Sequence, residues 1–407
     1  MLPRRDFLRL TAAGLAGLAC AGLDRSGNAV GLAQEAGAEL PIQLQTDPET
    51  MFPRVSLTGT PYSRGSQIGR AFGRNFRLAI DRRADWFKPL ADYAANEGRK
   101  NVEAMLAAAE KHTPEAVEEL RGWAAGAGME FSELFVFNCK SEIEAFLDVR
   151  CGCAGCSTVV VKTAERLLVA HNEDGHTSTE DLMFLVQFEN AARTAALGLA
   201  YPGVMEGNAP WVNSHGIVMT TNYIPSAKVV PGIPRYFLDR MAMEASTANA
   251  AIDIVSHSER AYGYHHVVAC LPDRKAWSVE ATPEKLEVHE IEGLFLHTNH
   301  LVWPGMKDLP QFEKYIALSS VPRLESLRKN LGAIPEARDI SADKVLAALS
   351  CHDGRPYSVC RHAQGEATGA TLGTAFFESP AHDGQTNPSV RFFRNQPCLG
   401  KSRVFQI

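Results

Sequence analysis

The chain has 407 residues, 45% of them apolar and 22% charged, with a net charge of −6. This is the balance of a globular protein with a full core, arranged as one large domain or two. It excludes a nucleic-acid binder, which needs a positive face for phosphates.

Residues 1–33 read as an export signal. "MLPRRDFLRL" sets Arg4-Arg5 before Phe7-Leu8, and "TAAGLAGLACAGL" follows as a short, weakly apolar run. Charge followed by such a run is the order of a secretory leader, and the arginine pair marks the twin-arginine type. A spanning helix takes about 20 strongly apolar residues, more than this run supplies. "GLAQ" offers cleavage after Ala33. Cys20 is a competing lipidation site, weakened by Gly17 where leucine is usual. The expected location is the periplasm or beyond, reached by the twin-arginine machinery.

Residues 34–56 are polar and contain proline, and read as a mobile leader. From Tyr62 to Ala127 the pattern is helical, with Ile68, Phe72, Phe76, Ile80, Trp86 and Leu90 at helical steps. In "HTPEAVEELRGWAAGAGM", Thr113 reads as an N-cap and Pro114 as the first helical residue, with Gly126 and Gly128 ending the helix. "FSELFVFNCKSEIEAFL" reads as another helix capped by Ser132. At Cys156 the texture changes. "STVVVK", "RLLVAHNED", "LMFLVQFE", "GIVMTTNY", "YHHVVACL", "AWSVEAT", "KLEVHEI" and "GLFLHTNH" are short β-rich runs between turn residues. Helical texture returns at "PRYFLDRMAMEA" to "AAIDIVSHSERA" and at "VPRLESLRKNL" to "SADKVLAALSC". The order predicts an α+β fold with layered sheets.

"CGCAGCSTVVVK" (151–162) gathers Cys151, Cys153 and Cys156. A metal clip lacks a second ligand pair, with Cys139 set apart by helical sequence. A disulfide within the cluster is a second reading; nine cysteines, eight without the signal, leave any pairing unassigned. The third reading is a nucleophile. Gly155 has no side chain, so the Cys156 thiol has close access to its carbonyl. Attack would move the acyl group to sulfur, and water would then free an N-terminal cysteine. Its α-amino group, titrating near ~7.7–8.0, would serve as base for its own thiol. Gly152–Cys153 is the competing junction.

"GCSTVVVKTAERLLVAHNEDG" resembles the Gly-Cys-[Ser/Thr]-Thr…Asn-x-Asp segment of the penicillin-acyltransferase-like family of N-terminal-nucleophile hydrolases. Bile-salt hydrolases and penicillin V acylases are more distant relatives of it. Asp174 stands eighteen residues after Cys156, which suits that family. "GTPYSRGSQIGRAFG", "VNSHGIVMTTNY", "HTNHL", "SSVPRLESL" and "CHDGRPYSVCRH" resemble further family stretches in the same order, over roughly residues 57–400.

The resemblance implies a four-layer αββα sandwich with Cys156 at a strand start between the sheets. It implies that Asp174 orients the new amino group, and that Asn299 supplies an oxyanion donor. A second donor would come from Asn222 or a backbone N–H beside it. Arg323 would lower the thiol pKa and hold Asp174. Where the bile-salt relatives carry arginine, this chain has His171, which favours the acyltransferase-like branch. His300, His352 and His362 fall outside the catalytic set, and Cys360 reads as a buried structural thiol. No cofactor and no metal is expected.

The expected protein is an exported, self-cleaving amidohydrolase or acyltransferase. Residues 34–155 and 156–407 would remain together as a non-covalent heterodimer. It would cut a linear amide: an N-acyl amine, an N-acyl amino acid, a peptide-like amide or a β-lactam side chain. Hydrolysis is favoured over transfer, because acyl-thioester donors are scarce outside the cytoplasm. The competing reading is a non-enzymatic exported binding protein whose cysteine cluster holds metal or disulfides.

Overall fold

The computed structural model describes residues 43–45, 52–149, 155–188, 194–380 and 388–405. Residues 1–33, with Cys20 and Ala33, lie outside the described residues, as do Cys151, Gly152 and Cys153.

Among the described residues six helices come first: α1 (Pro61–Asp81), α2 (Ala84–Ala95), α3 (Arg99–His112), α4 (Pro114–Ala127), α5 (Phe131–Asn138) and α6 (Lys140–Phe146). Thr60 starts α1 by accepting from the Ser63 backbone N–H, with Pro61 at the first helical position. Thr113 is the N-cap residue of α4, as expected, but its side chain turns backwards: the hydroxyl donates to the Ala109 carbonyl at 2.8 Å, closing α3, and makes no cap hydrogen bond in α4. Ser132 lies inside the first turn of α5, whose N-cap is Glu130. Gly128, at φ 62°, ends α4 in the left-handed conformation, whereas Gly126 stays helical.

Glycine is needed where α1 crosses α4. A Cβ on Gly122 would stand 2.2 Å from the Tyr62 carbonyl oxygen, and one on Gly65 1.9 Å from that of Glu119. A buried ion cluster is built at the same crossing. Arg240 donates to both Glu119 oxygens at 2.9 and 2.7 Å, Arg64 donates to Glu119 at 3.2 Å, and both arginines reach Glu244 at 2.9 Å.

In chain order the strands are β1 (Gln43–Gln45), β2 (Arg54–Leu57), β3 (Ser157–Lys162), β4 (Leu167–His176), β5 (Phe184–Phe188), β6 (Ala196–Ala200), β7 (Trp211–Asn213), β8 (Ile217–Tyr223), β9 (Tyr264–Cys270), β10 (Lys275–Ala281), β11 (Leu286–Glu290), β12 (Gly293–His297), β13 (Gly369–Glu378), β14 (Ser389–Arg394) and β15 (Ser402–Phe405). They form a nine-stranded sheet, β1-β2-β5-β6-β7-β8-β9-β10-β11, and a six-stranded sheet, β12-β3-β4-β13-β14-β15. All eight β-rich runs read from the sequence are strands. The leader reading of 34–56 is corrected in part: Arg54–Leu57 pairs in parallel with β5, Arg54 opposite Leu185, and β1 extends that edge. Runs of three and four residues carry too little alternation to be read as strands. The later helices of eight or more residues are α7 (Arg235–Ala242), α8 (Ala248–Val255), α9 (Val321–Leu331) and α10 (Ala342–Leu349), with a short helical turn at Glu313–Tyr315.

Three apolar layers hold these elements together. One joins α1–α8 to the outer face of the nine-stranded sheet, through residues such as Phe76, Trp123, Phe237, Phe184, Trp211 and Met219. A second lies between the sheets, with Val160, Val169 and Phe377 facing Leu185, Val212 and Val267. The third seats Val159, Val161, Leu168 and Ala170 against Leu327, Val345 and Leu349 of α9 and α10. Successive valines of "STVVVK" thus serve opposite layers, which is why this run is apolar without alternation. The fold is α+β, with helices and two sheets. Among the described residues no helix is long and apolar enough to cross a membrane.

Gly122→Ala should lower unfolding stability by about 1–3 kcal/mol or more, since the added methyl meets backbone rather than a movable side chain. Urea denaturation at fixed pH checks this; an unchanged midpoint would mean that α1 and α4 can separate freely.

Candidate active site

Cys156 lies one residue before β3, and β4 runs beside it, bringing His171, Glu173 and Asp174 to the same strand end. The thiol is buried and lies 3.8 Å from Glu173 Oε1. Burial pushes the thiol well above its usual range. Glu173 and Asp174 add to that, while the Asp174 backbone N–H and Arg323 oppose it. In the uncut chain the sulfur is therefore a protonated thiol.

Arg323 enters from α9 and is itself buried. Its Nη1 donates to the Cys156 carbonyl at 2.6 Å and to Ser157 Oγ at 3.0 Å. Its Nη2 donates to Asn299 Oδ1 at 2.7 Å. A five-residue π-turn, Ile316–Ser320, precedes α9 and aims two hydroxyls at this cluster. Arg323 Nε donates to Ser319 Oγ at 3.3 Å, and the Asn299 backbone N–H donates to Ser320 Oγ at 2.7 Å. Asn299 Nδ2 donates to the Tyr223 carbonyl at 2.8 Å, so its amide is held from both ends with one N–H remaining.

Asn222 reaches the same cluster from β8. Thr221 and Tyr223 wall the cavity described below, and Asn222, alternating with them, faces β3. Its Oδ1 accepts from Thr158 Oγ1 at 2.8 Å and pairs with His265 Nδ1 at 3.1 Å. Its buried Nδ2 has no hydrogen-bond partner among the described residues. Thr158 links it onward to His171 Nδ1 at 2.8 Å, and His171 Nε2 lies 3.2 Å from Glu173 Oε2. Thus His171 supports the thiol only through Glu173.

Asp174 Oδ1 accepts from Thr371 Oγ1 at 2.7 Å, and its buried Oδ2 has no partner among the described residues. Burial raises its pKa to about 7, against the pull of Arg361 and then Arg323. Arg323 makes no hydrogen bond to Asp174, contrary to expectation; its donors are committed to Cys156, Ser157, Ser319 and Asn299.

Sequence reasoning passed over three residues here. Glu173 occupies the unspecified place of the Asn-x-Asp segment, yet it touches the thiol and accepts from Tyr201 Oη at 2.9 Å. Arg361 was hidden in "CRH". It is fully buried, and its three guanidinium nitrogens have no acceptor among the described residues. Tyr315 stands immediately before the π-turn that leads into α9. A Cβ on Gly155 would stand 2.7 Å from Arg361 Nη1, 3.0 Å from Arg323 Nη2 and 3.2 Å from Tyr315 Oη. The glycine is therefore required by a cage of donors as well as by access for the thiol.

Cys156, Glu173 and Asp174 open onto a cavity of about 150 Å³. Trp86, Phe137, Tyr201, Tyr223, Tyr236 and Tyr264 supply aromatic wall. Lys140 lies over the Phe137 and Tyr236 rings, and Glu144 accepts from Trp86 Nε1 at 2.7 Å. Cys156, His171 and Glu173 lie close enough to share a metal ion, but both His171 nitrogens are already engaged. Cys139 belongs to the apolar core under the helices. His300 Nδ1 pairs with Ser320 Oγ at 2.7 Å.

Residues 161–384 match the family described as acyl-coenzyme A:6-aminopenicillanic acid acyl-transferase. Two relatives are similar to the chain. A beta-alanyl-dopamine/carcinine hydrolase of Drosophila melanogaster is 27% identical over half of this chain; the match spans 57% of that protein's length. The 40 kDa form of an acyl-coenzyme A:6-aminopenicillanic-acid-acyltransferase of Emericella nidulans is 25% identical over 80% of this chain and 89% of its own.

The Asp174 shift gives a pH signature. The fold favours the neutral carboxyl, while the unfolded chain ionises it near 3.8, so stability is lost as pH rises from there to about 7. In an uncut Cys156→Ala background, Asp174→Asn should bring no gain below about pH 4 and a growing gain that levels off above about pH 7. Urea midpoints across pH measure it, and a gain independent of pH would remove burial as the cause.

Proposed function

The chain belongs to the acyl-coenzyme A:6-aminopenicillanic acid acyl-transferase family, and from this we propose that it is an amide-cleaving enzyme with Cys156 as nucleophile, freed by self-cleavage at Gly155–Cys156. The observation that carries the reading is the setting of Cys156. Its thiol meets the Glu173 carboxylate at 3.8 Å while Arg323 fixes its carbonyl at 2.6 Å. The three apolar layers support the αββα sandwich of N-terminal-nucleophile hydrolases.

Before the cut, the Cys156 nitrogen is an amide and cannot act as a base. Glu173 is the nearest carboxylate and takes the thiol proton. The thiolate attacks the Gly155 carbonyl carbon, Glu173 passes the proton to the nitrogen, the peptide C–N bond breaks, and the nitrogen leaves as the free amine. Water then hydrolyses the thioester, leaving a Gly155 carboxylate and an N-terminal Cys156. Arg361 and Tyr315 are placed to steady the oxyanion. The free Oδ2 of Asp174 is the acceptor for the new ammonium, an interaction that lowers the Asp174 pKa.

In the mature enzyme the α-amine takes the thiol proton and the thiolate attacks the substrate amide. The remaining N–H of Asn299 and the unpartnered Nδ2 of Asn222 donate to the oxyanion, the α-ammonium returns its proton to the departing nitrogen, the amine leaves, and water resolves the acyl-thioester to a carboxylate. The small aromatic cavity suits a compact N-acyl amine, one aromatic side seated near Trp86 and Tyr223. We extend the proposal to twin-arginine export, hydrolysis rather than transfer, and a heterodimer of residues 34–155 and 156–407. The shared apolar core of those two segments supports the last point.

Mass spectrometry of purified protein should give two fragments, the second starting at Cys156. Cys156→Ala should give one intact chain; intact wild-type protein that still cleaves amides would overturn the mechanism. Glu173→Gln should slow the cut. In the mature enzyme, Asn299→Ala should lose about 10²–10³ in kcat with the fold retained by circular dichroism. A panel of N-acyl arylalkylamines against long-chain N-acyl amines tests the cavity reading, which fails if the long chains are preferred.

A further inference from the structure

We propose that His352, Cys360, His362 and Cys398 form a tetrahedral zinc site that clamps the segment carrying Arg361. Their four ligand atoms lie within 4.8 Å of one another. Cys360 Sγ is 3.6 Å from Cys398 Sγ and 3.6 Å from His362 Nε2. Cys398 Sγ is 3.3 Å from His362 Nε2, and the two histidine Nε2 atoms are 3.2 Å apart. Zinc held at about 2.3 Å from sulfur and 2.0–2.1 Å from nitrogen sets tetrahedral ligands roughly 3.3–3.8 Å from each other. Four of the six separations, 3.2 to 3.6 Å, are close to those values, and the remaining two, from His352 to the sulfurs, lie within 4.8 Å. Two thiols and two imidazoles are also the donor set that selects zinc by softness and geometry. The thiols lose their protons on binding, so the ion would neutralise two thiolates.

The ligands come from three places. His352 follows α10, Cys360 and His362 flank Arg361 on the approach to β13, and Cys398 lies on the turn Pro397–Leu399 after β14. Cys360 is fully buried, the histidines are partly buried, and Cys398 is exposed, which leaves an entry path. Cys360 is the buried thiol the sequence led one to expect; the proposal adds three ligand partners to it, where the sequence pointed to no metal.

The clamp reaches the thiol end of the fold through the backbone. The Arg361 N–H donates to Thr371 Oγ1 at 3.0 Å, the Thr371 N–H donates to the Arg361 carbonyl at 3.1 Å, and the Thr371 hydroxyl donates to Asp174. Fixing the residues on both sides of Arg361 thus fixes a buried guanidinium that has no acceptor of its own. Arg361 is the residue the site positions.

The test is elemental analysis of full-length protein produced with zinc and dialysed. About one zinc per chain is expected, also in Cys156→Ala, where the other thiol-containing cluster is broken. Cys398→Ser and His352→Gln should each reduce retained zinc at least about tenfold on competition with a chelator. Stripping zinc from wild type should lower the thermal midpoint, and adding zinc back should restore it. The two single variants cover the case in which one fails to fold. Zinc below about a tenth of an ion per chain after reconstitution would overturn the proposal, as would a Cys360–Cys398 disulfide in peptide mapping, or full retention of zinc in both variants.

Discussion

The Arg323 guanidinium is the interaction on which the site depends. A fully buried positive charge is costly unless every N–H finds an acceptor. Here the acceptors are the Cys156 carbonyl, the Ser157 and Ser319 hydroxyls and the Asn299 amide oxygen. They come from three separate parts of the chain, so satisfying one side chain fixes a strand start, a strand end and the turn before α9 relative to each other. The π-turn at Ile316–Ser320 fits this role, since it brings Ser319 and Ser320 onto the face that Arg323 needs.

The second constraint is that β3 and β4 are buried on both faces. Val159 and Val161 face the α9–α10 side while Val160 faces the other sheet. Polar residues on such strands must therefore bond within the layer. Thr158, His171 and Glu173 do so in a line from Asn222 to the thiol. The orphans left over are informative for the same reason. Among the described residues, Asp174 Oδ2, Asn222 Nδ2 and the Arg361 nitrogens are some of the buried atoms without partners, and these three residues belong to the cluster around Gly155 and Cys156.

The change of texture at Cys156 made the sheets legible, because eight apolar runs with turn residues between them have few other solutions. The short strands β1, β2 and β7 were not legible, since three or four residues do not establish a period, and β6, β13, β14 and β15 were not singled out either. The candidate site was legible where one residue carries a distinctive chemistry in a distinctive frame, as with Cys156, Asp174, Asn299 and Arg323. Glu173 and Arg361 were not, because a carboxylate beside an aspartate and an arginine between cysteine and histidine look like ordinary neighbours until the fold turns them inward. The Cys360–Cys398 pair was beyond spacing rules altogether, since its members lie on separate strands' connections and form no close cysteine pair in sequence.

The ion cluster at the α1–α4 crossing carries a further consequence. Glu119 precedes Gly155 and its bidentate partner Arg240 follows it. On the proposed cut, the two charges become parts of different molecules, each with a buried ion whose bidentate partner lies in the other. The tether that held them at high effective concentration is lost. Folding of the uncut chain is unimolecular, whereas reassembly of the cut one is second order and competes with aggregation of exposed core. Processing would thus act as a ratchet: the precursor can fold repeatedly, while the mature protein keeps its structure only as long as its halves stay together.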